Sequence, residues 1–307
     1  MLPQLNTLLK PRPRKYRNIV KHLSPLILQA PESVNLTAED IFDDLSQSRG
    51  TDQFLGLYSR RGIELVLEKM GLFKKLQERQ LPNATVQINT SDPFKHLFRI
   101  IHPLEDKRFL SCELVVRQGN FNGYPKVNLP NPTAPPSNML VVEWLLLQNP
   151  RKTFTRKKPQ LPGQDYPGLG LSHLAFELLY WTARRLKLDG VILVPNFLHT
   201  GMFYSRQLQF FNPQHQGILQ AINKYLKTGV RLDQLSWGCA EGQLINLRKQ
   251  EVFEWKPSPM VMPVTRNWKD YFHSQMYQRQ VKNIERENQF QLNTGYEKKY
   301  NNDWIGI

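Results

Sequence analysis

The sequence is poor in cysteine: among 307 residues there are two, Cys112 and Cys239, neither with a cysteine neighbour. That spacing excludes a zinc ribbon and a disulfide framework, and it points to a reducing compartment, with the cytoplasm as the expected location. Cys112 lies in an apolar run and reads as a small core residue rather than a nucleophile. Long hydrophobic runs are missing too. The longest, Met139-Leu-Val-Val-Glu-Trp-Leu-Leu-Leu147, is strand-length and carries a glutamate, well short of the about 18 to 20 apolar residues that cross a bilayer. No transmembrane segment is expected.

Acidic residues are scarce, 26 against 41 Lys plus Arg, for a formal charge of +15. Such an excess suits anionic partners. It is also spread along the chain, as a merely solvated surface would be, and both readings stay open. Several motifs are absent: the phosphate-binding Gly-x-x-x-x-Gly-Lys-Ser/Thr loop, the Gly-x-Ser-x-Gly elbow and the His-Glu-x-x-His helix. The seven histidines show no metal-ligand spacing, so no metal is expected.

Residues 1–30 contain no acidic residue and include Lys10-Pro-Arg-Pro-Arg-Lys-Tyr-Arg17. They lack the serine richness of a transit peptide and the apolar core and cleavage site of a secretory signal. Residues 1–35 therefore read as a basic, partly disordered arm, with nucleic acid as one partner for segment 10–17. The body of the protein is expected at 36–265, followed by a polar helical tail at 266–307.

Within the body, Thr37-Ala-Glu-Asp40 has the form of a capping box. Tyr58, Ile63, Leu67, Met70 and Leu76 fall on helical spacing between 53 and 80, with Gly71 as a break. The period then changes to that of strands over 85–89, 96–102, 109–117 and 139–147. Leu171, Leu174, Ala175, Leu178, Thr182 and Leu186 form one face of a helix over 171–188, ended by Gly190 as a left-handed cap. Val191-Ile-Leu-Val194 reads as a buried strand, 199–207 and 216–227 as helices, and 236–240, 243–247 and 252–255 as strands. The order strand, helix, strand implies a parallel crossover. The fold class is α/β: a mixed, mostly antiparallel sheet with one parallel β-α-β unit and helices preceding it.

The crossover passes through Pro167-Gly-Leu-Gly-Leu-Ser172. Two glycines before a helix form either a tight turn or a cradle whose free N–H groups meet a phosphate.

The run from Met139 to Phe211 resembles a divergent, bacterial-type member of the GNAT superfamily of acyl-CoA-dependent N-acyltransferases. Leu147-Gln-Asn-Pro150 is similar to that family's strand end, Gly168-Leu-Gly-Leu-Ser172 to its pyrophosphate loop, and Asn196 to Phe210 to its last helical element. Three positions depart from the pattern. Pro167 stands where the family carries Arg or Gln, the loop from Pro150 to Asp165 is longer, and Gln209 replaces a glycine.

The resemblance implies acyl-CoA, acetyl-CoA in the first instance, as co-substrate and a small-molecule or protein amine as acceptor. It implies cofactor contacts from Leu147, Gly168, Leu169, Gly170, Leu171, Ser172, His173, Asn196 and Ser205. By the same likeness Glu143 is the candidate base and Tyr204 the candidate acid, with His199 a further candidate nearby. Two alternatives stand beside this. One is a non-catalytic scaffold of the same shape engaging nucleic acid or an anionic surface. The other is a transferase that meets an acidic carrier protein through the basic segment 151–158.

Overall fold

A computed structural model describes residues 13–29, 53–104, 107–121, 137–293 and 295–296. The expected capping box at Thr37 to Asp40 lies outside the described residues. Part of the basic arm is helical: α1 (Arg14–His22) and α2 (Pro25–Leu28), the latter started by Pro25 and capped by the Ser24 hydroxyl. Leu23 and Leu28 are buried, so this stretch belongs to the packed body.

Helices α3 (Arg60–Lys69) and α4 (Leu72–Gln77) follow, divided at Gly71 as the spacing predicts. Next come β1 (Thr85–Asn89), β2 (His96–Leu104), β3 (Lys107–Phe121) and β4 (Ser137–Leu147), an antiparallel meander. Helix α5 (Ser172–Arg185) crosses to β5 (Gly190–Leu193), which pairs parallel to β4. Helix α6 (Leu198–Tyr204), β6 (Gln209–Phe210), α7 (Pro213–Leu226) and α8 (Leu232–Ala240) lead to β7 (Leu244–Asn246) and β8 (Glu251–Val252). The last elements are β9 (Met260–Pro263), α9 (Arg266–His273), α10 (Gln275–Glu287) and β10 (Phe290–Leu292). The main sheet runs β1-β2-β3-β4-β5-β9-β6, antiparallel except at β4-β5; β10, β7 and β8 form a small second sheet. No helix among the described residues is long and apolar enough to cross a membrane.

Strand alternation distributes the core between two faces. Leu140, Val142, Val191 and Leu193 join the cluster that includes α3, α4 and α5, where a cavity of about 120 Å³ remains between Ile100, Leu145, Leu147 and Leu174. Met139, Ile192 and Val261 face the other way, onto Trp268, Phe272, Tyr277 and Val281 of α9 and α10. The segment set apart as a polar tail thus covers the second face of the sheet, and the Trp268 indole donates to Ser137 Oγ at 3.0 Å.

Two local expectations are corrected. Residues 236–240, read as a strand, lie in α8: Gln234 Oε1 accepts the Arg231 N–H, and Leu235 and Cys239, one helical turn apart, are both buried. The left-handed cap of α5 is Lys187 (φ 57°), not Gly190. The Leu188 N–H returns to the Ala183 carbonyl, the reach of a Schellman ending. Gly190 is required instead by close approach, because a Cβ there would lie 2.9 Å from the Met262 carbonyl oxygen.

Candidate active site

The β3-β4 register pairs Val115 with Trp144 and Val116 with Val142, leaving Glu143 as an extra, bulged residue. At the same level β5 stops: its last pair with β4 is Val142 with Leu193. Beyond that point β4 runs on alone at its inner edge. The Gln148 N–H donates to Ser111 O, so Gln148 and Ser111 form a hydrogen-bonded pair. By antiparallel alternation the main-chain groups of Leu147 and Leu145 point away from β3, toward the side β5 has left. The Leu147 carbonyl accepts from the Leu169 N–H at 3.1 Å. Among the described residues, the Leu145 N–H and carbonyl and the Leu147 N–H find no partner and lie along an open edge.

That bond closes the base of the long loop. Gln148 bridges Gly168, and the Asn149 N–H donates to Pro167 O at 2.8 Å. Arg79 fastens the same place from α4's end, its Nε donating to the Leu169 carbonyl at 2.9 Å. The chain then turns through Gly170, at φ 71° and with no atom within 4 Å of where a Cβ would stand, into α5. The N–H of Leu169, expected among the anion donors, is therefore already committed, and its side chain is buried. Ala175 makes the first helical return, to Leu171. The N–H groups of Ser172, His173 and Leu174 are left at the helix mouth, where the dipole favours an anion. Gly168, Gly170, Ser172 and His173 are exposed there and Leu171 is buried.

Helix α6 meets this mouth at its far end. Gln207 Nε2 lies 3.0 Å from His173 Nδ1, and the Tyr204 ring packs edge-on to Phe176, one turn into α5. Burial raises the Tyr204 phenol above its ordinary pKa, so it keeps its proton at neutral pH. Ser205, expected at the cofactor, donates its hydroxyl to Met202 O at 2.8 Å. Asn196 is exposed just after β5. His199, in the first turn of α6, stacks on Phe197 at 5.5 Å, is 2% exposed and has no partner for Nδ1 among the described residues. Burial lowers its pKa to about 4, leaving a neutral imidazole.

Glu143 stands apart from these groups. Its carboxylate takes Lys95 Nζ at 2.9 Å and Arg117 Nε at 2.7 Å, and those hydrogen bonds, Lys95 first, hold it below the usual carboxylate range. Among the described residues no hydrogen bond joins it to Tyr204 or His199. The structure thus ties Leu147 to residues 168–173 and packs Tyr204 against α5, while Glu143 lies apart in a clamp with Lys95 and Arg117. Arg79, Gln207 and the Phe197 ring were not singled out from sequence. Nothing local in the chain marks them, since each acts on a segment between 34 and 90 residues away.

Burial pushes the thiols of Cys112 and Cys239 up to about 12, which makes both poor nucleophiles. No group of three or more His, Cys, Asp or Glu able to hold a metal occurs among the described residues.

No family model matches the sequence, and none of the curated proteins compared with it matches. Two solved structures align in outline. A mutant of KacT covers 74% of this chain and 94% of its own at 9% identity, with a TM-score of 0.24. A KacTA-DNA complex covers 74% and 93% at 8% identity, with a TM-score of 0.22. Scores this low transfer neither an activity nor a ligand nor a partner.

Proposed function

We propose that this protein is a GNAT-like acyltransferase that moves an acyl group from a pantetheine thioester, acyl-CoA in the simplest case, to an amine. The observation that carries the reading is the open edge of β4 leading to the α5 mouth. Where β5 ends, the Leu145 N–H and carbonyl and the Leu147 N–H have no partner among the described residues, and the long loop fastened to the Leu147 carbonyl leads into a helix with free N–H groups. A ligand with amides along its length and phosphate at one end fits both features: the amides continue the sheet, and the phosphate meets Ser172, His173 and Leu174. The commitment of the Leu169 N–H narrows the cradle and leaves it open at Gly170.

Acyl transfer forms an amide N–C bond as the thioester C–S bond breaks; the amine gives up a proton and the departing sulfur takes one. In this reading Tyr204, protonated and packed beside α5, is the proton donor. Glu143 is held ionised by Lys95 and Arg117, which weakens it as a base and offsets its charge, so in this reading it receives the amine's proton only through water. The neutral His199 imidazole is the second proton acceptor to test. Asn196, exposed just after β5, and Ser205, whose hydroxyl is already engaged, are contacts of lower rank in this reading.

The test is thermal unfolding with acetyl-CoA and a longer acyl-CoA at about 100 times a micromolar Kd, where binding adds about 2.7 kcal/mol and raises the Tm by several degrees. Ser172→Glu keeps a residue that suits a helix N-terminus but sets a carboxylate where phosphate would lie. It is expected to fold and to lose the shift. If neither thioester moves the Tm of the unaltered protein, the acyltransferase reading gives way to that of a scaffold without this ligand.

A further inference from the structure

Two basic segments far apart in the chain adjoin the α5 mouth: α1 packs beside it and the long loop leads into it. The Tyr16 ring of α1 lies 6.5 Å from the His173 ring at the α5 mouth, and Arg185 of the same helix binds the Leu23 carbonyl just after α1, so α1 lies along α5. Lys15 and Arg17, beside Tyr16, are exposed. The second segment is the long loop, which holds five basic residues and one acidic residue, Asp165, between 148 and 171. Thr155 and Lys158 bond each other's main chains in both directions, which makes 155–158 a tight hairpin with Arg156 and Lys157 at its tip. Lys152, Arg156, Lys157 and Lys158 are exposed.

The loop is braced against the protein at both sides of the hairpin. Asn149 Nδ2 donates to the Arg79 carbonyl, Trp237 Nε1 of α8 donates to the Gln160 carbonyl at 2.9 Å, and Gly163 lies against the Phe197 ring so closely that a Cβ would come within 2.5 Å. The cations are therefore presented by a fixed rim that runs from the end of β4 to the start of α6. We infer that this cationic rim docks an acidic carrier protein whose acyl thioester hangs on a pantetheine arm, the arm entering along β4.

This inference rests on the acyltransferase reading and names its donor. The rim and the edge together ask for a ligand that is a broad anion outside and a thin amide-bearing chain inside. Six exposed cations, Lys15, Arg17, Lys152, Arg156, Lys157 and Lys158, outnumber the three phosphate groups of one CoA. Nucleic acid offers the anion but no arm for the open edge of β4. In the reaction the C–S bond to the carrier's pantetheine sulfur breaks as the amide N–C bond forms, and the carrier leaves as the free thiol with the proton taken from Tyr204.

The experiment measures binding of the full chain to a fluorescently labelled acidic carrier protein bearing an octanoyl-pantetheine arm, to the same carrier without the arm, to octanoyl-CoA and to a DNA duplex. The expected result is a carrier affinity that falls at least tenfold without the arm and at least tenfold in the double variant Arg156→Glu, Lys157→Glu, while octanoyl-CoA affinity stays within twofold. Raising salt is expected to weaken the carrier complex steeply. Binding of octanoyl-CoA with no carrier binding, or a carrier affinity indifferent to the double variant, overturns the docking inference and leaves acyl transfer standing. A duplex that binds more tightly than the carrier and is lost in the double variant assigns the rim to nucleic acid instead. Binding of neither thioester removes both readings.

Discussion

Glu143 and Tyr204 show how environment sets the protonation of a side chain. Two cations keep Glu143 ionised, whereas burial keeps Tyr204 protonated. Tyr204→Phe removes only the hydroxyl, and turnover with acyl-CoA and a polyamine acceptor is expected to fall ten- to a hundredfold with the Tm unchanged. His199 carries a pH prediction. Its folded pKa, about 4, lies below the 6.5 of an exposed imidazole, so between these values the unfolded chain binds more protons. Stability is full above pH 6.5 and is lost as pH falls toward 4, by up to about 3 kcal/mol from this residue. His96, His102 and His215 are shifted in the same direction by burial and add to the loss. Unfolding midpoints recorded across that range should drop, and His199→Phe should flatten the slope.

Among the elements, the ending of α5 and the crossing of α7 with α10 make separate predictions. Lys187 is held left-handed at φ 57°, so Lys187→Gly should stabilise by about 1 kcal/mol, read as a rise in denaturant midpoint. Gly217 of α7 lies where a Cβ would approach Val281 O to 2.7 Å and Ile284 Cβ to 2.6 Å. Gly217→Val should push α7 and α10 apart and cost about 2 kcal/mol in the same measurement. The long elements were legible: alternation from 85 to 147 and the i, i+3, i+4 stripe of α5 report burial directly. The helix at 232–240 was not, because Ser236-Trp-Gly-Cys-Ala240 has no polar face; Gly238 is packed under Leu292, a contact that exists only after folding.

For the molecule as a whole, the segment after 265 is the test of unity. Its helices α9 and α10 bury Trp268, Phe272, Tyr277 and Val281 against Met139, Ile192 and Val261. Removing residues 266–307 exposes that face of β4, β5 and β9. The shortened chain is expected to lose cooperative thermal unfolding and to bind a dye for exposed apolar surface; a sharp, unchanged transition would contradict the packing described. The tail read as polar because its apolar residues are outnumbered, and four aromatic or branched side chains at helical spacing are enough to cover a strand face.

The sequence by itself determined the strand meander, the parallel crossover through a glycine loop and the excess of positive charge, since each follows from local periodicity or composition. Tertiary structure alone decided which groups share the opening. Arg79 and Gln207 reach the loop across the fold, the Leu169 N–H is spent on Leu147, and Glu143 is clamped by cations from other strands. It also set α1 beside the α5 mouth and folded 155–158 into a hairpin that presents its cations. Hydrogen bonds and ion pairs of this kind depend on distance in space rather than along the chain, and a single sequence carries no record of that distance.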